Sequence, residues 1–170
     1  ITEPNAGSDA MGMATKAEKK GDRYIINGSK IFITNGPVAD FMVFYAKTDP
    51  AAGPKGISTF FFETAEPKKK GQVKFEKIKK WGMRTSPTAL VTFEDMELPE
   101  ENLIGGLNKG VAVLTSGLCT ERITLSGCTL GGQRTCLELS LKYAKERVQF
   151  GKPIASFQSI QEKLANMYCN

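Results

Sequence analysis

One side chain, Glu121, has surroundings suited to proton chemistry. It lies in Thr115-Ser116-Gly117-Leu118-Cys119-Thr120-Glu121-Arg122-Ile123-Thr124-Leu125, among apolar, small and hydroxylated neighbours with one basic residue beside it. A carboxylate partly desolvated in this way is set up to act as a general base. By spacing alone, a Glu–Arg structural pair or a plain solvent-facing position is the simpler reading. Thr2 to Asp9 form a polar loop, Thr-Glu-Pro-Asn-Ala-Gly-Ser-Asp. Its backbone amides can cradle a ligand, with Gly7 allowing close approach; a surface turn accounts for the same residues more simply. Phe32-Ile33-Thr34-Asn35-Gly36 ends a strand with an aromatic and a hydroxyl, and an aromatic there ordinarily packs in a core. Arg147-Val148-Gln149-Phe150-Gly151 follows a helix. Its arginine suits bidentate contact with a phosphate, or simply complements the negative end of the helix dipole.

The composition removes other chemistry. There is no histidine, so the chain alone builds no Ser-His-Asp triad, Cys-His pair or histidine metal site. The four cysteines, Cys119, Cys128, Cys136 and Cys169, form no C-x-x-C pair, which argues against a zinc knuckle or a thioredoxin-type site. They are expected to be reduced and to act as small core residues. Neither G-x-G-x-x-G nor a P-loop occurs. With 170 residues, 41% hydrophobic and 24% charged, the chain is an ordinary globular sequence of one domain or two small ones. No apolar run approaches the ~20 residues of a membrane span. The net charge of +5 concentrates in Lys68-Lys69-Lys70, Lys74, Lys77, Lys79 and Lys80. Val73, Phe75 and Ile78 interleave them, which reads as a strand with a solvated basic face, ahead of a nucleic-acid surface or an anionic nucleotide-thioester ligand. The sequence starts at Ile1, and Thr2-Glu3-Pro4-Asn5 reads like the interior of a longer protein. The lack of a targeting segment therefore says nothing about location.

Two regimes position these groups. Up to about residue 104 the pattern is β-like, with strands expected at 13–20, 23–27, 30–34, 41–47, 57–63, 73–79 and 88–95. Asn27-Gly28 predicts a hairpin turn, because both residues tolerate positive φ. Lys20-Gly21-Asp22 predicts a second turn, and 49–56 an exposed loop. Short strands at this spacing predict an antiparallel barrel or sandwich. After about Asn108 the periodicity becomes helical. Leu137, Leu141, Ala144 and Val148 recur at helical intervals, as do Phe157, Ile160, Leu164 and Met167. The first helix is expected to begin near Gly110 and run about 35 residues, beyond the usual globular length. Gly151-Lys152-Pro153 breaks the chain, and a short helix ends at Asn170. So long a helix wants partners on several sides. The fold class is thus α+β, a β-domain at 1–106 followed by the first helices of a helical bundle at 107–170.

Four segments in this order resemble the acyl-CoA dehydrogenase family. They are Thr-Glu-Pro-Asn-Ala-Gly-Ser-Asp, then Ile-Asn-Gly-Ser-Lys-Ile-Phe-Ile-Thr-Asn-Gly, then Lys-Trp-Gly-Met-Arg, then Arg-Val-Gln-Phe-Gly-Lys-Pro-Ile with Phe-Gln-Ser-Ile-Gln. Among the subgroups the chain looks most like the isovaleryl type. The resemblance implies an FAD enzyme, usually tetrameric, that dehydrogenates short or branched acyl-CoA thioesters between the α- and β-carbons. It passes electrons to electron-transfer flavoprotein, and in a eukaryote sits in the mitochondrial matrix, otherwise in the cytoplasm. This chain matches the middle β-domain and the start of the C-terminal helical domain. The resemblance makes Thr2, Gly7 and Ser8 the loop that holds the flavin, with Ser8 also facing the acyl-CoA, and sets Phe32, Ile33 and Thr34 beside the ring. The family usually has Trp where Phe32 stands. Arg147, Phe150 and Gln158 match residues at the FAD of a neighbouring subunit. Glu121 matches the catalytic base of the isovaleryl and long-chain branch. Ala112, Cys119, Thr120, Arg122 and Leu125 match positions near the substrate. The isovaleryl pattern usually has an acidic residue at Cys119 and an aromatic at Ala112. An acyl-CoA oxidase, a long-chain dehydrogenase and a non-catalytic acyl-CoA or flavin-binding module are the competing readings.

Overall fold

The computed structural model describes residues 1–169 and divides into two units, residues 1–116 and the residues from 117 on. The first unit holds seven strands in one sheet: β1 (Lys16–Lys20), β2 (Arg23–Thr34), β3 (Phe41–Lys47), β4 (Ile57–Glu63), β5 (Val73–Lys77), β6 (Thr88–Pro99) and β7 (Leu103–Ile104). A one-turn helix, α1 (Ala65–Lys69), precedes β5. The strand order is β5-β6-β2-β1-β3-β4-β7. Every ladder is antiparallel except β1–β3, a single parallel pairing of Lys16 with Lys47. The sheet is not a closed barrel: β5 and β7 are its two edges. A two-residue β7 and the Lys-Glu-Lys surface of β5 blunt those edges against further pairing.

The sheet nevertheless curls over one core. Phe44 of β3 and Phe93 of β6 stack with centroids 4.9 Å apart. Two strands lie between β3 and β6 in the order, which on a flat sheet would set them roughly 14 Å apart. Phe60, Phe62 and Tyr24 complete the ring cluster, Phe60 stacking on Phe44 and Phe62 and Tyr24 packing edge-on. Alternation along β3 buries Met42, Phe44 and Ala46 and leaves Phe41 and Val43 exposed, the pattern of a sheet with one wet face.

The expected turn at Lys20-Gly21-Asp22 joins β1 to β2, with Gly21 at φ 62°. The expected hairpin at Asn27-Gly28 does not form. β2 runs straight through it, with a bulge between Ile26 and Gly28 in its ladder to β6. The Asn27 amide instead donates to the Asp95 carboxylate at 2.9 Å, and the Asp95 amide donates back to Asn27 Oδ1. Gly28, at φ 144°, is required by proximity: a Cβ there would lie 2.5 Å from Thr15 Oγ1 and 2.7 Å from its Cα. The strand expected at 13–20 starts at Lys16, 73–79 ends at Lys77, and 88–95 extends to Pro99. Lys68 to Lys70 lie in and just after α1, while Lys74 lies on β5 and pairs with Glu94 at 2.7 Å.

The long helix α2 spans Gly110–Glu146. Its first turn docks on β4. The Asn108 amide donates to Ser58 Oγ, and Thr48 bridges Ser58 and Asn108. Gly110 is needed there, since a Cβ would meet the Ile57 carbonyl oxygen at 2.8 Å. In the second unit α2 leads into a two-residue hairpin, β8 (Val148–Gln149) and β9 (Lys152–Pro153), and then α3 (Gln158–Cys169). Val148, expected to continue the helical stripe, belongs to β8 and is exposed. The expected end of α3, Asn170, lies outside the described residues.

Ile123, Leu125, Leu130 and Leu139 are exposed on different sides of α2. The hydroxyls of Thr124, Ser126, Thr129 and Thr135 donate to carbonyls one turn back, so these four hydroxyls are already satisfied within the helix. The cysteines were expected in a core, but all four are exposed and free. They lie on α2 and α3, where Ala144 is the one side chain buried among the described residues of the two helices beyond Gly110.

Candidate functional site

In the first unit the loop at residues 2–8 is tied to the second half of β2. The Ile31 amide donates to the Thr2 carbonyl at 2.8 Å, and Glu3 and Ala6 exchange backbone bonds at 2.9 and 3.2 Å. Beneath the loop, Glu3 and Lys30 form an ion pair of 2.7 Å with side chains 4% and 1% exposed. The Glu3 carboxylate also accepts from the Ala14 and Thr15 amides, and Lys30 Nζ donates to the Ile1 carbonyl at 3.3 Å. Burial alone would lift the Glu3 carboxyl. The Lys30 ammonium, Thr15 and the Ala14 amide outweigh it and hold the group below the usual carboxylate range. Burial lowers the Lys30 ammonium, with Glu3 opposing.

Sequence reasoning singled out Thr2, Gly7 and Ser8 here and missed Glu3 and Lys30. A signal was present. Tyr24 and Ile26 set the inward parity of β2, and Lys30 falls on the same parity, which calls for a buried anion.

Thr2 is half-buried, Gly7 and Ser8 are exposed, and no atom lies within 4 Å of a Cβ placed on Gly7. Three residues of β2 after Lys30 oppose two of β6, and Phe32 sits in this bulge at φ 59° with 64% of its surface exposed. Contrary to the ordinary expectation for an aromatic at a strand end, it does not pack in the core. Ile33 packs against the core while Thr34 faces out. The first unit thus offers an open aromatic face, outward hydroxyls and free backbone beside a glycine, a donor set that fits a planar heteroaromatic ring with polar edges such as a flavin.

In the second unit Phe150 and Gly151 turn the β8–β9 hairpin with φ of 53° and 75°. This is the two-residue primed turn that normally takes Asn-Gly. Phe150 is 92% exposed and packs edge-on against Phe157 at 6.0 Å. The Arg147 amide continues the helix to Tyr143, and its side chain is exposed, as is Gln158 at the start of α3. A guanidinium without a partner among the described residues, an amide and an aromatic edge suit a phosphate with an attached base.

Glu121 also lies in the second unit. It is exposed, and among the described residues its carboxylate takes neither an ion pair nor a hydrogen bond. The Glu–Arg structural pair is therefore not formed. The desolvation expected from its neighbours is not supplied by this chain, because those side chains spread around the helix instead of packing over the carboxylate. Leu125 is four residues on and shares its face, Thr120 and Arg122 flank it, and Cys119 points to the other side. All four are exposed. Ala112 lies in the first unit, exposed at the start of α2 beside a cavity of about 520 Å³ lined by Lys55, Leu107, Lys109 and Val111.

Residues 1–96 match the acyl-CoA dehydrogenase middle-domain family, and residues 108–170 match the acyl-CoA dehydrogenase C-terminal-domain family. The chain is 47% identical over 168 residues to the mitochondrial isovaleryl-CoA dehydrogenase of Oryza sativa subsp. japonica, covering 99% of this chain and 40% of that protein. It is 46% identical over 166 residues to cyclohex-1-ene-1-carbonyl-CoA dehydrogenase of Syntrophus aciditrophicus, covering 98% and 39%. The solved butyryl-CoA dehydrogenase from Megasphaera elsdenii superposes with a TM-score of 0.90 at 42% identity, over 99% of this chain and 44% of that one. The chain spans about 40% of the length of the curated relatives it matches.

Proposed function

Because this chain belongs to the acyl-CoA dehydrogenase family, we propose that it forms part of an FAD-dependent enzyme that desaturates short or branched acyl-CoA thioesters. Glu121 is the base. What supports this is that Glu121 stands where the family's isovaleryl branch has its base, with a carboxylate free of any partner among the described residues and on the same helix face as Leu125. Exposed glutamates such as Glu76 and Glu101 are also unpaired, so the free carboxylate permits the role and the match to that branch carries it.

Glu121 takes the α-proton of the thioester, and the carbon–carbon double bond forms as the β-hydrogen departs with its electron pair. FAD, when bound, supplies the acceptor for that hydride. The thioester α-proton is weakly acidic, so hydrogen bonds to its carbonyl must carry much of the stabilisation, and exclusion of water must align the reacting carbons. Thr2, Gly7, Ser8, Phe32, Ile33 and Thr34 would hold the flavin end, with Ser8 also toward the thioester. Arg147 and Gln158, with Phe150 packing beside them, would serve the FAD of a neighbouring subunit in a homotetramer. Leu125 would bound the acyl group, with Thr120 and Arg122 flanking it; Cys119, on the other side of α2, and Ala112, in the first unit, remain candidates by resemblance to the family alone. Electron-transfer flavoprotein is the onward acceptor. The mitochondrial matrix is the compartment in a eukaryote, in keeping with relatives named as mitochondrial; no helix among the described residues is long and apolar enough to cross a membrane.

The test is Glu121→Gln in the product of the complete gene, mixed anaerobically with isovaleryl-CoA while flavin absorbance is followed. Loss of the base should slow bleaching by about 100-fold or more. Bleaching at the parent rate would remove Glu121 from the mechanism.

A further inference from the structure

Burying a salt bridge is a poor route to stability, because an apolar pair of equal volume does as well or better. The Glu3–Lys30 pair, both side chains under 5% exposed, therefore calls for another reason. Its location supplies one. Every group it touches leads to the flavin-facing loop or to the strand beside it. Lys30 Nζ reaches the Ile1 carbonyl at 3.3 Å and the Met13 sulfur at 3.9 Å. The next residue, Ile31, holds the Thr2 carbonyl through its amide at 2.8 Å. The bulge that turns Phe32 outward follows at once. On the other side the Glu3 carboxylate gathers the Ala14 and Thr15 amides. Thr15 is the residue against which Gly28 of β2 packs without room for a Cβ.

We infer that Glu3 and Lys30 are positioning residues: a buried latch that fixes the loop carrying Thr2 and Ser8 in register with Phe32 and Thr34, and so sets the site's affinity for the flavin. An apolar pair would fill the volume but would leave the loop free to slide. Directional bonds from one carboxylate to three donors and from one ammonium to its acceptors allow a single register. This rests on the flavin reading above and deepens it.

The experiment uses the product of the complete gene with three changes: Lys30→Met, Glu3→Gln, and, as a control matched in lost stability, Leu98→Ala in the buried core at the far end of β6, where it pairs with Tyr24 and not with Lys30. FAD dissociation constants are measured by fluorescence on apoprotein reloaded well below each variant's Tm, together with the visible circular dichroism of bound flavin. Lys30→Met and Glu3→Gln should each weaken FAD binding at least 10-fold and alter the dichroic bands, while Leu98→Ala changes neither. Equal FAD affinity and spectra in Lys30→Met and the parent would overturn the latch, as would an equal loss in Leu98→Ala. If the parent itself binds no FAD, the flavin reading fails, and that outcome is distinct from failure of the latch alone. Should Glu3→Gln not fold, Lys30→Met decides the matter, because it leaves the Glu3 carboxylate on its two amides.

Discussion

Removing the buried ion pair one partner at a time, then together, gives a prediction whose size follows from the geometry. In Glu3→Gln the Lys30 ammonium stays 1% exposed and loses its countercharge, keeping only neutral acceptors: the introduced amide oxygen, the Ile1 carbonyl and a thioether. An orphaned buried charge costs about 3–5 kcal/mol. In Lys30→Met the Glu3 carboxylate keeps its bonds from Ala14 and Thr15, so the loss should fall near the lower figure, about 3 kcal/mol. In the double variant no charge remains. What is left is the cost of an imperfectly paired Gln amide, about 1–3 kcal/mol. The singles sum to about 6–8 kcal/mol, so the coupling energy should be at least about 3 kcal/mol, the upper end for contacting residues. Chemical denaturation at pH 7, with m-values compared, measures it. A double variant as unstable as the sum of the singles would refute the reasoning. It would mean that the two groups act through the backbone independently and not on each other.

The same pair dictates the pH response. Glu3 titrates below its ordinary value of 4.5 in the folded state. Its contribution is therefore fully present above pH 4.5 and is lost as pH falls through the lower folded value. Glu3→Gln should remove that acid-side loss and steepen a dependence the parent already has. Burial lowers Lys30 even beside Glu3, so parent stability rises with pH toward the ordinary lysine value of 10.5, and losing the opposing carboxylate should make that rise larger. A Glu3→Gln variant whose stability is flat between pH 7 and 10 would show that Lys30 finds water when its partner is gone.

Three further changes probe the rest of the frame. Gly28→Ala should destabilise by at least about 1–3 kcal/mol, since its Cβ meets Thr15 at 2.5–2.8 Å and φ is 144°; a Tm within 2 °C of the parent would contradict it. Phe44→Ala removes the ring that touches Phe60, Phe62 and Phe93, and should cost about 3–5 kcal/mol in denaturant titration; a loss below about 1 kcal/mol would mean the curled sheet is not held by that cluster. Phe150→Asn replaces an exposed aromatic in left-handed backbone with a residue that tolerates it. Relief of about 1 kcal/mol of strain roughly offsets the lost edge contact with Phe157, about 0.5–1.5 kcal/mol, so Tm should hold while FAD affinity drops; a large fall in Tm with unchanged affinity would make the ring structural.

Period and punctuation carried most of the architecture. Runs rich in Val, Ile, Phe, Tyr and Thr between turn residues marked β3, β4 and β6, because such side chains suit a pleated, buried surface, and the helical start expected near Gly110 coincides with a first turn that has no room for a side chain. The errors have identifiable causes. Asn27-Gly28 satisfies hairpin chemistry, but the competing demand was tertiary: Thr15 needed a glycine opposite it, and Asp95 needed the Asn27 amide. A local rule cannot weigh partners 13 and 68 residues away. The Glu3–Lys30 pair, 27 residues apart, escaped for the same reason, although the inward parity of Lys30 was readable. The α+β class and the antiparallel β-domain are as expected; of the barrel-or-sandwich alternatives the closed barrel is absent, because strand count does not reveal the single-residue parallel contact between β1 and β3 or the open edges at β5 and β7. The free cysteines lie on helices whose apolar residues face several directions, and no periodicity shows what would cover them.

Phe32 and Phe150 bring these threads together. Each is aromatic, each holds a positive φ that its Cβ disfavours, and each is exposed. Backbone preference favours neither choice: Asn or Gly would relieve the left-handed conformation, and within this chain Phe150 has its edge contact with Phe157 to set against the strain while Phe32 has no ring partner among the described residues. One lies in a bulge next to the residue latched to Glu3, the other in a turn beside Arg147. Where local preference and exposure both argue against a residue and the fold keeps it, a compensating contact beyond the chain's own packing is the expectation. Under the proposed function, bound FAD would give each ring that partner.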